Sequence, residues 1–137
     1  MEFFIFVSEQ WLLITLLAAL IAIFIITEQR KAGKSLGTSE LVRLMNSDQA
    51  VVVDVRSAAE FETGHIHGAL NIPHQKLASR MAELEKYRDK TIVVADKIGQ
   101  HSGGAGKALS GNGFNVCRLS GGISEWQGSS LPLVKGK

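Results

Sequence analysis

The run WLLITLLAALIAIFIIT, from Trp11 to Thr27, is seventeen residues without a charge, and it constrains this chain more than any other feature. At about 1.5 Å per helical residue it covers roughly 25 Å, slightly short of a hydrocarbon core of about 30 Å but inside the range of membrane helices. A second apolar patch, FFIFV at Phe3 to Val7, precedes it, and together with Trp11 can extend the helix into the interface. Burying such a helix in a water-soluble core would take far more partner chain than 137 residues supply. A cleaved signal peptide fits badly, because Met1-Glu2-Phe3-Phe4 has no basic start and no small-x-small site follows Ile26. The run is predicted to be one membrane span.

Charge predicts its orientation. Glu2 and Glu9 precede the span, whereas Arg30, Lys31 and Lys34 follow within eight residues of Ile26. The positive-inside rule then puts the N-terminus outside and the C-terminal part in the cytoplasm. The stretch from Glu28 to Gly37 carries Gly33, Ser35 and Gly37 among charges and shows no apolar period, so it reads as a short basic tether. The predicted organisation is an anchor over 1–27, a linker over 28–37 and a domain over 38–137.

Fifteen Lys and Arg against thirteen Asp and Glu leave a net charge of +2, with no basic block of the kind that binds nucleic acid. The single cysteine, Cys117, excludes an intramolecular disulfide framework. A phosphate-binding enzyme fails on spacing: Gly106-Lys107 is followed by Ala108 with His101 five residues before Gly106, and Gly33-Lys34-Ser35 follows an apolar helix rather than a strand.

From Leu41 onward helical and strand patterns alternate. Leu41, Val42, Leu44 and Met45 form a short helical face, and Val51-Val52-Val53-Asp54-Val55 is a β-branched run suited to a strand buried on both faces. Ala69 to Ile72 is a second strand, ended by Pro73, and Leu77, Met81 and Leu84 mark an amphipathic helix through His74 to Tyr87. Thr91 to Ala95 is the next strand. Ser102 to Leu109 reads as a helix weakened by Gly103, Gly104 and Gly106; Val116 to Leu119 is the last strand, followed by Gly121-Gly122 and a short helix around Trp126. Strands separated by helices predict an α/β fold with parallel pairing and helices on both faces.

Ligands of such sheets sit beyond the carboxyl ends of strands, which directs attention to the loop after Ala95. There Asp96-Lys97-Ile98-Gly99-Gln100-His101-Ser102 turns from a strand into a helix start, where backbone N–H groups converge as an anion cradle.

The order of motifs resembles the rhodanese-like domain family. The matching pieces are VVVDVRSAAEF at Val51 to Phe61, GHIHGALNIP at Gly64 to Pro73, TIVVADKIGQHS at Thr91 to Ser102, GNGFNVCRLSGGISEW at Gly111 to Trp126, and LPLV at Leu131 to Val134. With the N-terminal span, the likeness is to the small membrane-anchored members of bacteria, which implies an inner-membrane location. The resemblance implies a sheet of about five mostly parallel strands and, in active members, sulfurtransferase chemistry. That chemistry needs a cysteine at the start of the loop after the strand equivalent to Thr91 to Ala95, whose thiolate carries sulfur as a persulfide. The position here is Asp96, and a carboxylate cannot carry a persulfide. The related phosphatase reading fails as well, since the thiol is missing and no arginine lies between Asp96 and Gly111. The expectation is a loop, Asp96 to Ser102, that has lost its nucleophile, with Asp96 pairing with the loop's own groups and Lys97 and His101 keeping some positive potential.

The remaining candidates read as structural. Asp54, Arg56 and Glu60 resemble the family's carboxylate–arginine constellation that holds the strand end against the next helix. His65 and His67, with no cysteine or third ligand nearby, are expected to be weak metal ligands, and His74 is expected to cap or line the loop. Cys117 sits in a strand among apolar neighbours and is expected to be inert, with redox modification or a relocated sulfurtransferase site as the rival reading. No cofactor or metal is called for. The expected partners are the bilayer and another membrane or cytoplasmic protein, recognised through the Asp96 to Ser102 loop and the Gly121-Gly122 turn. A modest small-residue patch at Ala18, Ala19 and Ala22 could also pack against another membrane helix.

Overall fold

The computed structural model describes residues 1–136, which fall into two compact units, Met1–Arg30 and Lys31 onward. The first lies within a single helix, α1, that runs over Glu2–Lys31, so the Ser8-Glu9-Gln10 interruption of the apolar pattern does not break it. Its apolar side chains, from Phe3 to Ile26, are exposed. The hydroxyls of Thr15 and Thr27 donate to the carbonyl oxygens of Trp11 and Ile23 at 2.8 and 2.7 Å, so these polar groups are satisfied inside the helix. This is a helix long and apolar enough to cross a membrane.

The second unit contains, among the described residues, the strands β1 (Lys34–Leu36), β2 (Ala50–Asp54), β3 (Leu70–Asn71), β4 (Thr91–Ala95) and β5 (Val116–Leu119). The helices are α2 (Thr38–Asn46), α3 (Ala58–Thr63), α4 (Leu77–Arg80), α5 (Ser102–Gly111) and α6 (Gly122–Gly128). The strands form one sheet in the order β1-β5-β4-β2-β3, and every neighbouring pair is parallel. The α/β expectation, with a five-stranded parallel sheet covered on both faces, is what is observed.

Side chains alternate across the sheet with the period of two that a strand imposes. Val53, Val55, Ile92, Val94 and Val116 face a core shared with Leu77, Leu84 and Leu109, whereas Leu36, Val52, Val93, Ala95 and Leu119 face Leu41, Ile123 and Trp126 on the other side. β4 is the central strand and β2 lies beside it, between β4 and β3. Val53 is fully buried there. Val53→Ala should therefore cost about 1–3 kcal/mol through lost burial and a residual cavity. Chemical denaturation of the two chains would measure it, and a loss within error would contradict this packing.

Three expectations need correction. The tether over Glu28–Gly37 is not one: the helix continues to Lys31, and Lys34–Leu36 form the edge strand β1, paired in register with Cys117 to Leu119. An edge strand bonded on one side needs only one inward apolar residue, here Leu36, so it leaves little hydrophobic pattern. The continuous helix over His74 to Tyr87 is instead a 3-10 turn at His74–Lys76, the four-residue α4, and a second 3-10 segment at Met81–Tyr87. Finally, α5 extends to Gly111 despite its glycines. One of these, Gly106, is required by packing, because a Cβ there would collide with the carbonyl oxygen of Ala32.

Candidate functional site

β4 ends at Ala95, and Asp96 opens the loop that leads into α5. Its residue is only 3% exposed, so its carboxylate must find donors within the protein. It finds them in its own loop: Oδ1 accepts from the Lys97 N–H at 2.8 Å and Oδ2 from the His101 N–H at 2.7 Å. These are the lengths of charge-assisted bonds. Gly99, at φ +99°, turns the chain between them, and the buried Ser102 donates its hydroxyl to the Gly99 carbonyl at 3.0 Å. The converging N–H groups expected of an anion cradle are present, and a side chain of the loop itself occupies them.

A second element braces the loop from outside. The N–H groups of Ile123 and Ser124, at the start of α6, donate to the carbonyl oxygens of Asp96 and Lys97 at 2.8 and 2.9 Å. Gly122 makes this approach possible. It has φ +62°, and a Cβ on it would collide with the Asp96 carbonyl. The Gly121-Gly122 turn thus supports the loop, with Gly122 buried and Gly121 exposed.

Beside Asp96 lies a cleft of about 370 Å³, lined by Glu60, His74, Gln75, Lys97 and Gln100 among others. The rings of His74 and His101 stack along it at 3.9 Å between centroids and 13° between planes. Lys97 and Ile98 are exposed at the loop's crest. A neighbouring cleft of about 300 Å³ shares Arg56, Glu60 and Lys97 with the first. A larger cleft of about 440 Å³, along β3 and the Arg80–Lys86 segment, contains no cysteine, serine or histidine, so size alone does not mark the chemistry.

The structure brings Asp54 and Arg56 together. The carboxylate of Asp54, fully buried, accepts from Arg56 Nε at 3.0 and 3.1 Å and from its terminal nitrogen at 2.8 Å, and the same nitrogen reaches the Gly64 carbonyl at 2.7 Å. Asn71 adds bonds to the carbonyl oxygens of Asp54 and Arg56. Glu60 does not join this pair. Its N–H donates to Ser57 Oγ at 3.3 Å, and that hydroxyl donates to Glu60 Oε1 at 3.2 Å, capping α3. The pattern Ser57-Ala58-Ala59-Glu60 is the sequence signal of such a cap.

His65 is buried, stacked on Phe61 at 3.7 Å, with Nδ1 bonded to the Phe61 carbonyl at 2.8 Å, while His67 is exposed. One ring is buried and the other exposed, and among the described residues no cluster of three His, Cys, Asp or Glu side chains could hold a metal ion. Cys117 is half-buried in β5, packed toward the α2 face of the sheet. Burial pushes its thiol above the ordinary cysteine range, with the Lys34 ammonium pulling it partly back. The thiolate that nucleophilic chemistry needs is therefore disfavoured near neutral pH.

A parallel five-stranded sheet with a loop of inward-pointing N–H groups after its central strand is the architecture of the rhodanese-like domain, and the chain belongs to that family, whose sequence pattern matches residues 37–129. Among its relatives is the uncharacterised protein YibN of Escherichia coli K12, 38% identical over 125 residues that cover 88% of this chain and 87% of that protein. The thiosulfate sulfurtransferase GlpE of Shewanella oneidensis is 33% identical over 94 residues, 68% of this chain and 91% of its own. In three dimensions the chain is similar to a rhodanese-related protein of Thermoplasma volcanium, with a TM-score of 0.69 and 31% identity over 75% of this chain and 99% of that one.

Proposed function

We propose that this protein is a membrane-anchored rhodanese-like module that does not transfer sulfur and that acts in the cytoplasm by binding another protein. One observation carries the reading: the Asp96 carboxylate occupies the loop's N–H donors at 2.8 and 2.7 Å. In the sulfurtransferase chemistry of the family those donors serve a cysteine and the sulfur it accepts. A fixed carboxylate supplies no sulfur nucleophile and repels thiosulfate-like anions from the same donors. The exposed loop crest and clefts then remain as a shaped surface on a rigid scaffold, which suits recognition.

The anchor is α1, inserted in the inner membrane with its N-terminus outside, as the acidic residues before the span and the basic residues after it favour. Five residues, 29–33, separate Glu28 from the first strand. Three of them, 29–31, still belong to the helix, so the connection is short and a partner must come to the bilayer surface to be bound.

The test is thiosulfate-to-cyanide sulfur transfer by the full chain in detergent, beside its Asp96→Cys and Cys117→Ser variants. In Asp96→Cys the new thiolate attacks the outer sulfur of thiosulfate, sulfite leaves, and cyanide takes the persulfide sulfur as thiocyanate and regenerates the thiolate. Turnover is expected in Asp96→Cys alone, since the Lys97 and His101 N–H groups are then free to stabilise the thiolate and its persulfide. Turnover in the unmodified chain that disappears with Cys117→Ser would instead make this an enzyme with a relocated nucleophile.

A further inference from the structure

We infer that the cleft beside Asp96 receives a cationic side chain, an arginine or lysine, from the bound protein. The inference rests on the binding role proposed above and names the chemistry of the partner at the same site.

Among the described residues that line the cleft, the charged side chains are Arg56, Glu60, Asp96 and Lys97. Arg56 is already neutralised by its two-pronged bond to the buried Asp54. With the imidazoles neutral, two carboxylates then face one ammonium. These charges are not equivalent in effect. Asp96 is almost fully buried and fixed by two backbone bonds, and no cation pairs with it among the described residues. Lys97 is exposed, and its ammonium sits in water and salt that screen it. A buried carboxylate projects its field into a cleft more strongly than an exposed ammonium does.

The hydrogen-bond count agrees. Each carboxylate oxygen of Asp96 accepts one backbone N–H, which leaves acceptor capacity on both. Glu60 uses one oxygen on Ser57 and keeps the other. The loop N–H groups of Lys97 and His101 are already taken by the Asp96 carboxylate and are not open to an anion. The cradle has thus been inverted: geometry that would hold an anion over a neutral or thiol side chain holds a cation once the anion is built in.

The inference can be tested on the full chain labelled with nitrogen-15 in detergent micelles, at mildly alkaline pH where imidazoles are neutral. Two probes are titrated, the blocked tripeptides acetyl-Gly-Arg-Gly-amide and acetyl-Gly-Glu-Gly-amide, with the Lys97 and His101 amide resonances as readout. The arginine probe is expected to shift both resonances saturably, and the glutamate probe to leave them in place. Asp96→Asn should weaken the arginine response by about tenfold or more, the loss of one charge-assisted contact. Glu60→Gln keeps the Ser57 contact and should weaken it by a smaller factor, so the idea stays exposed if Asp96→Asn folds poorly. Equal responses to the two probes, no response to arginine, or an arginine response unchanged in Glu60→Gln would overturn the cationic partner. Sulfur transfer by the unmodified chain overturns the binding role itself, so the two failures are distinguishable.

Discussion

Replacing Arg56 by alanine is expected to destabilise the second unit by about 3–5 kcal/mol, a large part of the 5–15 kcal/mol that holds a domain of this size together. The reason lies in Asp54, whose residue is fully buried at the end of β2. In the native chain its carboxylate accepts from both prongs of the guanidinium and from the Arg56 backbone N–H at 3.0 Å. Alanine keeps only the last of these and leaves a buried charge without its cation. It also strips the Gly64 carbonyl of its 2.7 Å partner, in the segment that returns from α3 toward β3. Arg56→Lys should recover only part of the loss, because one ammonium cannot reproduce the planar fork. Urea or guanidinium unfolding gives the number, and a loss below about 1 kcal/mol would show that water reaches Asp54 and that the pair is not structural.

Arg56 also borders the cleft, and the size of that effect bears on its role. Nε and one terminal nitrogen of the guanidinium are engaged on Asp54 and Gly64, so the expected pairing of these two residues is formed. Family resemblance groups Glu60 with them, whereas in the structure it stands apart. Its own backbone N–H and carboxylate are engaged with Ser57, a signal written locally as Ser-x-x-Glu and readable without any fold.

The same contrast between local and distant information runs through the chain. Val51 to Val55, Thr91 to Ala95 and Val116 to Leu119 were legible because a strand buried on both faces must be apolar throughout. β1 was not, since three residues on a sheet edge carry one buried side chain, and their pairing with β5 is fixed by residues about eighty positions away. The break of the expected helix over His74 to Tyr87 was hidden too, because Leu77, Met81 and Leu84 fit a helical face whether the turns between them are α or 3-10. At the site, Asp96 was legible as the residue that opens the loop, and its bonds to that loop were a natural expectation for a short acidic side chain among free N–H groups. The bracing of the loop by α6 and the stacking of His74 on His101 join segments more than twenty residues apart, and no spacing in the sequence announces them.

Gly122→Ala tests that bracing and should be the most disruptive single methyl at the site. Two costs add. An alanine at φ +62° pays the penalty of a left-handed backbone, roughly 1–2 kcal/mol. Its Cβ would also collide with the Asp96 carbonyl and lie 2.8 Å from that of Lys97, and both are backbone atoms that cannot swing aside. Relief requires α6 to move away, which breaks the Ile123 and Ser124 N–H bonds to the same two carbonyls. Together these amount to about 2–5 kcal/mol. Gly128→Ala is the matched control: it lies at the other end of α6 with nothing within 4 Å of an added Cβ, and it should be neutral or slightly stabilising. Thermal unfolding distinguishes the pair, and amide exchange at Lys97 and His101 tells where the damage lies. If the loop is held in shape by α6, those two N–H groups lose protection in Gly122→Ala even in conditions where the rest of the sheet stays folded. If instead Asp96 alone holds the loop, their protection survives the substitution, and α6 is only a neighbour of the site.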